Sequence, residues 1–150
     1  MTIKYGVTKC FGFEASHKLN LDYTSPCAKF HGHSYNVEVS IESVQLDQNG
    51  MVMDFSELKP IKQWVDENWD HATIMAKSDP DVEKYINDKN FKLYLSDTMN
   101  ITAEQMCLEL LGVIETHIQN SGKKFHEHIT GIKIAIWETA NNKATLRTKY

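Results

Sequence analysis

The chain is short of the features that would place it in a disulfide scaffold, a membrane or a nucleic-acid complex. Its 150 residues include three cysteines. Cys10, Cys27 and Cys107 are an odd number without a close C-x-x-C pair, which argues against a disulfide framework and against a cysteine-rich structural zinc site. No apolar stretch approaches the ~20 residues that span a bilayer. Lys4 and Lys9 interrupt the first ten residues where a secretory leader would run apolar, so the protein is expected in the cytosol. The formal net charge is −4, with no basic stripe or basic–aromatic interleaving, so direct contact with nucleic acid is not expected. There is no internal repeat, low-complexity tract or linker. With 41% hydrophobic residues, residues 1–150 can bury one ordinary core, and a single domain is expected.

What the chain does have is alternation at both ends and helical spacing between. Ile3, Tyr5, Val7, Phe11, Phe13 and Ala15 fall on odd positions, with Lys9 the exception, and predict a strand over 3–15. The run from His33 to Val44 alternates again, with Tyr35, Val37, Val39 and Ile41 on one face. Asp47-Gln48-Asn49-Gly50 closes it with residues that tolerate positive φ. Asp54-Phe55-Ser56-Glu57 has the form of a capping box and predicts a helix to about Asn68 with Leu58, Ile61, Trp64 and Val65 inward. Asp79-Pro80 predicts a short helix to about Asn87, Phe91–Leu95 a short strand, and Thr102 the cap of a helix carrying Met106, Leu110, Val113, Ile114 and Ile118. Ile132, Ile134 and Ile136 alternate within a strand over 129–139, and a last strand runs over 143–148. The order ββααββ predicts an antiparallel α+β domain with helices on one sheet face. Its two free sheet edges point to a homo-oligomer.

The chemistry concentrates around Cys27-Ala28-Lys29-Phe30-His31-Gly32-His33 and His17. Any one of these histidines alone is more often a packed or surface side chain. Three at one strand phase, two of them at i and i+2 on a common face, can converge on one ion across a hairpin, with Gly32 removing bulk between them. Three imidazoles with a position left for water fit catalytic zinc best. A cupin-like site with Glu38 fits poorly, because Glu38 points to the face opposite His33. His126 and His128 form a second His-x-His pair in a polar loop, without a third partner in phase, and read as surface histidines. Cys27 alone would be a small buried hydrophobe, but beside a dication and a histidine its thiol can serve as base or nucleophile. Asp70-His71 offers an imidazole oriented by a carboxylate, although the dipeptide is common by chance at helix ends. Glu138 continues the phase of Ile132, Ile134 and Ile136, so a carboxylate ends a buried face where it needs donors; a glutamate at a frayed strand end satisfies the alternation equally well.

His17, Cys27-x-x-x-His31-Gly32-His33-x-Tyr35, Gly50-Met51-Val52-Met53-Asp54-Phe55-x-x-Leu58, Asp70-His71, Thr102-Ala103-Glu104 and Glu138-Thr139 resemble, in order, the 6-pyruvoyl-tetrahydropterin synthase / 6-carboxy-tetrahydropterin synthase family over nearly the whole chain. That resemblance implies the tunnelling fold, in which ββααββ subunits associate into barrels, as trimers or dimers of trimers, with active sites at subunit interfaces. It implies Zn2+ on His17, His31 and His33, proton transfer by Cys27, Asp70 and His71, and a pterin held by Glu138 with Thr102 in the substrate site. The implied substrate is 7,8-dihydroneopterin triphosphate. In the carboxy branch it yields 6-carboxy-tetrahydropterin, acetaldehyde and triphosphate on the route to the transfer-RNA base queuosine; in the pyruvoyl branch it keeps the three-carbon side chain on the route to tetrahydrobiopterin. The carboxy product is the main expectation, since compact single-domain bacterial members usually make it. The pyruvoyl product is the enzymatic alternative, and a metal- or pterin-binding module without catalysis is the alternative of another class. Ile74-Met75 stands where the family usually has Leu-Asn, Ile101 where it has proline, and the segment 76–97 is longer than in compact members.

Overall fold

The structure is a computed structural model that describes residues 1, 3–122 and 127–150. Its elements are β1 (Tyr5–His17), β2 (His31–Ser43), α1 (Lys59–Asn68), β3 (Ala72–Ala76), α2 (Val82–Tyr85), β4 (Leu93–Ser96), α3 (Ala103–Asn120), β5 (Ile129–Trp137) and β6 (Lys143–Arg147), with short 3-10 turns at Pro26–Ala28 and Phe55–Leu58. One sheet runs in the order β4-β3-β1-β2-β5-β6.

This corrects the expectation of a wholly antiparallel ββααββ sheet. β1, β2, β5 and β6 pair antiparallel as alternation predicts, but β3 runs parallel to β1 and β4 parallel to β3. β3 escaped detection for a physical reason: all five of its residues are buried, so it has no polar face to mark a period of two. Ile74 and Met75, the departures from the family pattern, are within it.

The odd-numbered face of the β1–β2 hairpin forms the core. Phe11, Phe13, Tyr35, Val37, Val39 and Ile41 form one core with Ile132, Ile134 and Ile136, with Leu58, Ile61 and Val65, and with Met106, Leu110, Ile114 and Ile118 of α3. Each such side chain contributes roughly 1.5–3 kcal/mol by leaving water. The β1–β2 connection, residues 18–30, is therefore suspended from a rigid hairpin.

Local signals are met with small changes. Asp54 accepts the Ser56 N–H at 2.7 Å and opens a 3-10 turn, so α1 proper begins at Lys59 with Pro60 in its first turn. The helix expected after Pro80 is one turn long. Gly50, at φ +77°, completes the Asp47 turn.

Candidate metal centre

The register of the hairpin builds the centre. His31 lies directly opposite His17, and His33 pairs with Ala15. One ligand atom from each of the three rings lies within 4.8 Å of the others. His17 is 1% exposed, and the other two are half-buried.

Hydrogen bonds fix which nitrogens are available. His17 Nδ1 is 2.7 Å from the Ile101 carbonyl, and His31 Nδ1 is 2.7 Å from the Lys29 carbonyl. A carbonyl can only accept, so both Nδ1 atoms carry the proton in the neutral rings and both Nε2 atoms present lone pairs. Those two Nε2 atoms are 3.1 Å apart, an arrangement of two acceptors that a shared cation resolves. Burial pulls the His17 pKa down to about 4, outweighing the Ile101 hydrogen bond that raises it, so at neutral pH the ring is an uncharged donor. The residues present therefore fit a divalent metal. Tyr35 Oη is 3.5 Å from His17 Nε2, and burial, with Glu138 nearby, raises its pKa further above the ordinary phenol value. It is a protonated hydroxyl at the edge of the centre.

Glu138 follows the last residue of β5, and its Oε1 is 3.9 Å from His17 Nε2. Its N–H still bonds to the Asn142 carbonyl at 3.2 Å, so the strand end is not frayed. Beside it lies a cavity of about 140 Å³ lined by Ala103, Glu104, Glu138, Asn142, Lys143 and Ala144. Thr102, one residue away from that lining, caps α3 by accepting the Gln105 N–H at 3.3 Å.

Cys27 sits in the exposed 3-10 turn between β1 and β2. Its carbonyl accepts the Leu19 N–H at 2.8 Å, which ties the turn back to the end of β1. Asp70 and His71 lie just before β3, where His71 lines, together with His33, a cavity of about 380 Å³ that also takes in Glu14, Ser16, Gly32 and Ser34. His71 has φ +60°, a costly conformation for a side-chain-bearing residue. It is held there by its N–H to the Glu14 carbonyl at 2.6 Å and by Nδ1 against Asp70 Oδ2 at 2.9 Å. Burial pushes the Asp70 carboxyl up, but the Glu14 N–H, His71 and Lys92 together hold it below the ordinary carboxylate range. Among the described residues, no hydrogen bond or ion pair joins Cys27 to Asp70 or His71.

Gly32 does not make room between the histidines. It lies in the strand phase opposite to His31 and His33, and a Cβ there would meet the Ala15 carbonyl at an ordinary 3.5 Å. The second His-x-His pair falls partly outside the described residues, at His126; the His128 carbonyl accepts from Ser43 Oγ at 2.7 Å. Sequence reasoning missed the Ile101 and Lys29 carbonyls that orient the rings, since a backbone acceptor leaves no residue-type signal.

Fold and site together define a class: an α+β chain whose central hairpin presents three histidines as metal-type donors, with a carboxylate beside them. The family described as 6-pyruvoyl tetrahydropterin synthase matches residues 6–149, and the chain belongs to that family, whose members are lyases. A Rickettsia bellii protein named 6-carboxy-5,6,7,8-tetrahydropterin synthase is 33% identical over 135 residues, covering 89% of this chain and 94% of its own. An Aquifex aeolicus protein of the same name is 31% identical over 163 residues, covering 95% and 97%. The structure of Plasmodium falciparum 6-pyruvoyl tetrahydropterin synthase superposes with a TM-score of 0.79 over 98% of this chain and 99% of its own, at 20% identity; it shares the fold. No helix among the described residues is long and apolar enough to cross a membrane.

Proposed function

We propose that this protein is a zinc-dependent 6-carboxy-tetrahydropterin synthase of queuosine biosynthesis. It takes 7,8-dihydroneopterin triphosphate and water to 6-carboxy-5,6,7,8-tetrahydropterin, acetaldehyde and triphosphate. The observation that supports this most is the likeness, at 33% identity over 89% of the chain, to a relative bearing that name, joined to a three-histidine donor set in which backbone carbonyls fix the ring tautomers of His17 and His31.

His17, His31 and His33 would hold the metal through their imidazole nitrogens. When bound, zinc supplies Lewis acidity that makes hydroxyls and C–H groups of the substrate side chain easier to deprotonate. Glu138 accepts the N–H donors of the pterin edge and so sets the ring beside the histidine cluster. Cys27 and His71 move protons, with Asp70 fixing the imidazole's orientation. Because no hydrogen bond or ion pair joins Asp70 or His71 to Cys27 of their own chain among the described residues, we take them to serve the site of a neighbouring copy, and the working unit to be a homo-oligomer with active sites between subunits. Oxidation of the side-chain carbon attached to the ring is balanced by reduction of the dihydropterin, so no nicotinamide is required.

Incubating the zinc-loaded protein with dihydroneopterin triphosphate and analysing products by mass tests the assignment. Acetaldehyde and the 6-carboxy pterin are expected. A pyruvoyl product alone would place the protein in the tetrahydrobiopterin branch, and no turnover at all would make it a binding module.

A further inference from the structure

The segment that leads from β3 to α3 grips the end of β1 at several points. Lys18, next to His17, has its Nζ 3.1 Å from Asp79 Oδ1 and also paired with Asp81. Asp79 is 4% exposed. Asn100 binds both backbone groups of Asn20: its Oδ1 accepts the Asn20 N–H at 2.9 Å and its Nδ2 donates to the Asn20 carbonyl at 3.1 Å. The next carbonyl along, that of Ile101, accepts from His17. Ile101 is itself anchored, with its side chain 1% exposed in the core and the following residue capping α3. Asn100 is held from behind, because its carbonyl accepts from Thr98 Oγ1 at 2.9 Å, while Ser96 Oγ accepts the Thr98 N–H at 3.2 Å and donates to Glu109 of α3 at 3.1 Å. On the far flank, Phe30, next to His31, stands edge-on to Tyr85 with ring centroids 5.5 Å apart.

We propose that the segment 77–101 is a bracket that positions His17 and His31 as metal ligands, with Asn100 and Asp79 as its positioning residues. His17 is the last residue of β1, and the chain beyond it is irregular, so the strand ladder ends where the first ligand sits. The Asn100 amide supplies the two hydrogen bonds that a further strand residue would have made. The Lys18–Asp79 pair points to geometry more than stability: a largely buried ion pair returns little net free energy once desolvation is counted, but it fixes where Lys18, and so the His17 backbone, lies. Groups that hydrogen-bond a metal ligand directly change metal affinity by about 10–100-fold when removed; Asn100 and Asp79 act one step further out, through the Ile101 carbonyl and the Lys18 backbone, so the lower end of that range is the effect expected of them.

The inference rests on the metal assignment of the three histidines, and its test separates the two. Wild type, Asn100→Ala and Asp79→Asn are loaded with Zn2+ or Co2+; zinc transfer to a chelator is timed and the visible absorption of the cobalt forms recorded. Glu42→Gln is the control, since it removes the partner of Arg147 (2.7 Å) away from the centre and reports what a loss of stability alone does. Zinc release about tenfold faster or more from either bracket variant, with altered cobalt absorption and Glu42→Gln releasing at the wild-type rate, is the expected result. Should Asn100→Ala fail to fold, Asp79→Asn, which leaves Asp81 on Lys18, carries the comparison. Wild-type release from the folded bracket variants overturns the bracket and leaves the metal site standing, whereas a wild type that takes up neither ion overturns both.

Discussion

His17 Nε2 and His31 Nε2 face each other at 3.1 Å without a proton between them in the neutral rings, because each gives its N–H to a backbone carbonyl, Ile101 for one and Lys29 for the other. The apposition disfavours the metal-free protein, and a shared cation turns it into attraction. Purified wild type is therefore expected to carry about one zinc per subunit and His31→Ala far less, by elemental analysis. Equal content in the two proteins would show that the rings are merely packed together.

Cys27 is exposed in its turn and lies outside the histidine cluster, so the thiol is not needed as a ligand. Cys27→Ala should keep its zinc and its melting temperature while acetaldehyde release falls by about 10²-fold or more, the scale of losing a general acid–base group. A turnover rate near wild type would make the thiol a bystander.

Among the described residues no hydrogen bond or ion pair joins Cys27 to Asp70 or His71, and this makes a prediction about assembly. Cys27→Ala and His71→Ala should each be inactive alone, yet protein assembled from a mixture of the two should recover part of the wild-type rate, since some sites would draw an intact thiol from one subunit and an intact imidazole from another. Activity no higher than that of either variant would mean that each site is built from a single chain.

How far the sequence could be read depended on which faces are buried. The alternating strands were legible because one face of each meets the core while the other does not, and alternation carried His17, His31 and His33 at odd positions, and Glu138 in the even phase of Ile132, Ile134 and Ile136, to one side. β3 was illegible, since burial on both faces erases alternation. Its parallel pairing with β1 could not be inferred from residues that look like any apolar run. The ring-orienting carbonyls of Lys29 and Ile101 were invisible for another reason: their function lies in the backbone. Ile101 is a core anchor whose carbonyl faces His17. The Asn20–Asn100 clasp spans 80 residues of sequence, a distance over which two asparagines carry no visible relationship.

The last prediction concerns Glu138, whose carboxylate lies 3.9 Å from His17 Nε2. That distance allows two roles. The oxygen could move in as a fourth protein ligand, closing the coordination sphere, or remain free to accept hydrogen bonds from a substrate held beside the metal. Open catalytic zinc sites keep three protein ligands, and the 2-amino-pyrimidinone edge of a pterin offers adjacent N–H donors that a carboxylate accepts in a two-pronged fashion. Glu138→Gln preserves the size and most of the packing but removes the charge and one acceptor. Binding of a simple pterin without the triphosphate side chain should weaken by on the order of 1.5–3 kcal/mol, the value of a hydrogen bond to a charged group, and the substrate's affinity should fall in parallel. Zinc content should stay at the wild-type level. Calorimetric titration of both proteins with the simple pterin, alongside metal analysis, separates the roles: lost zinc would make Glu138 a ligand, and unchanged affinity with unchanged zinc would leave it without an anchoring function.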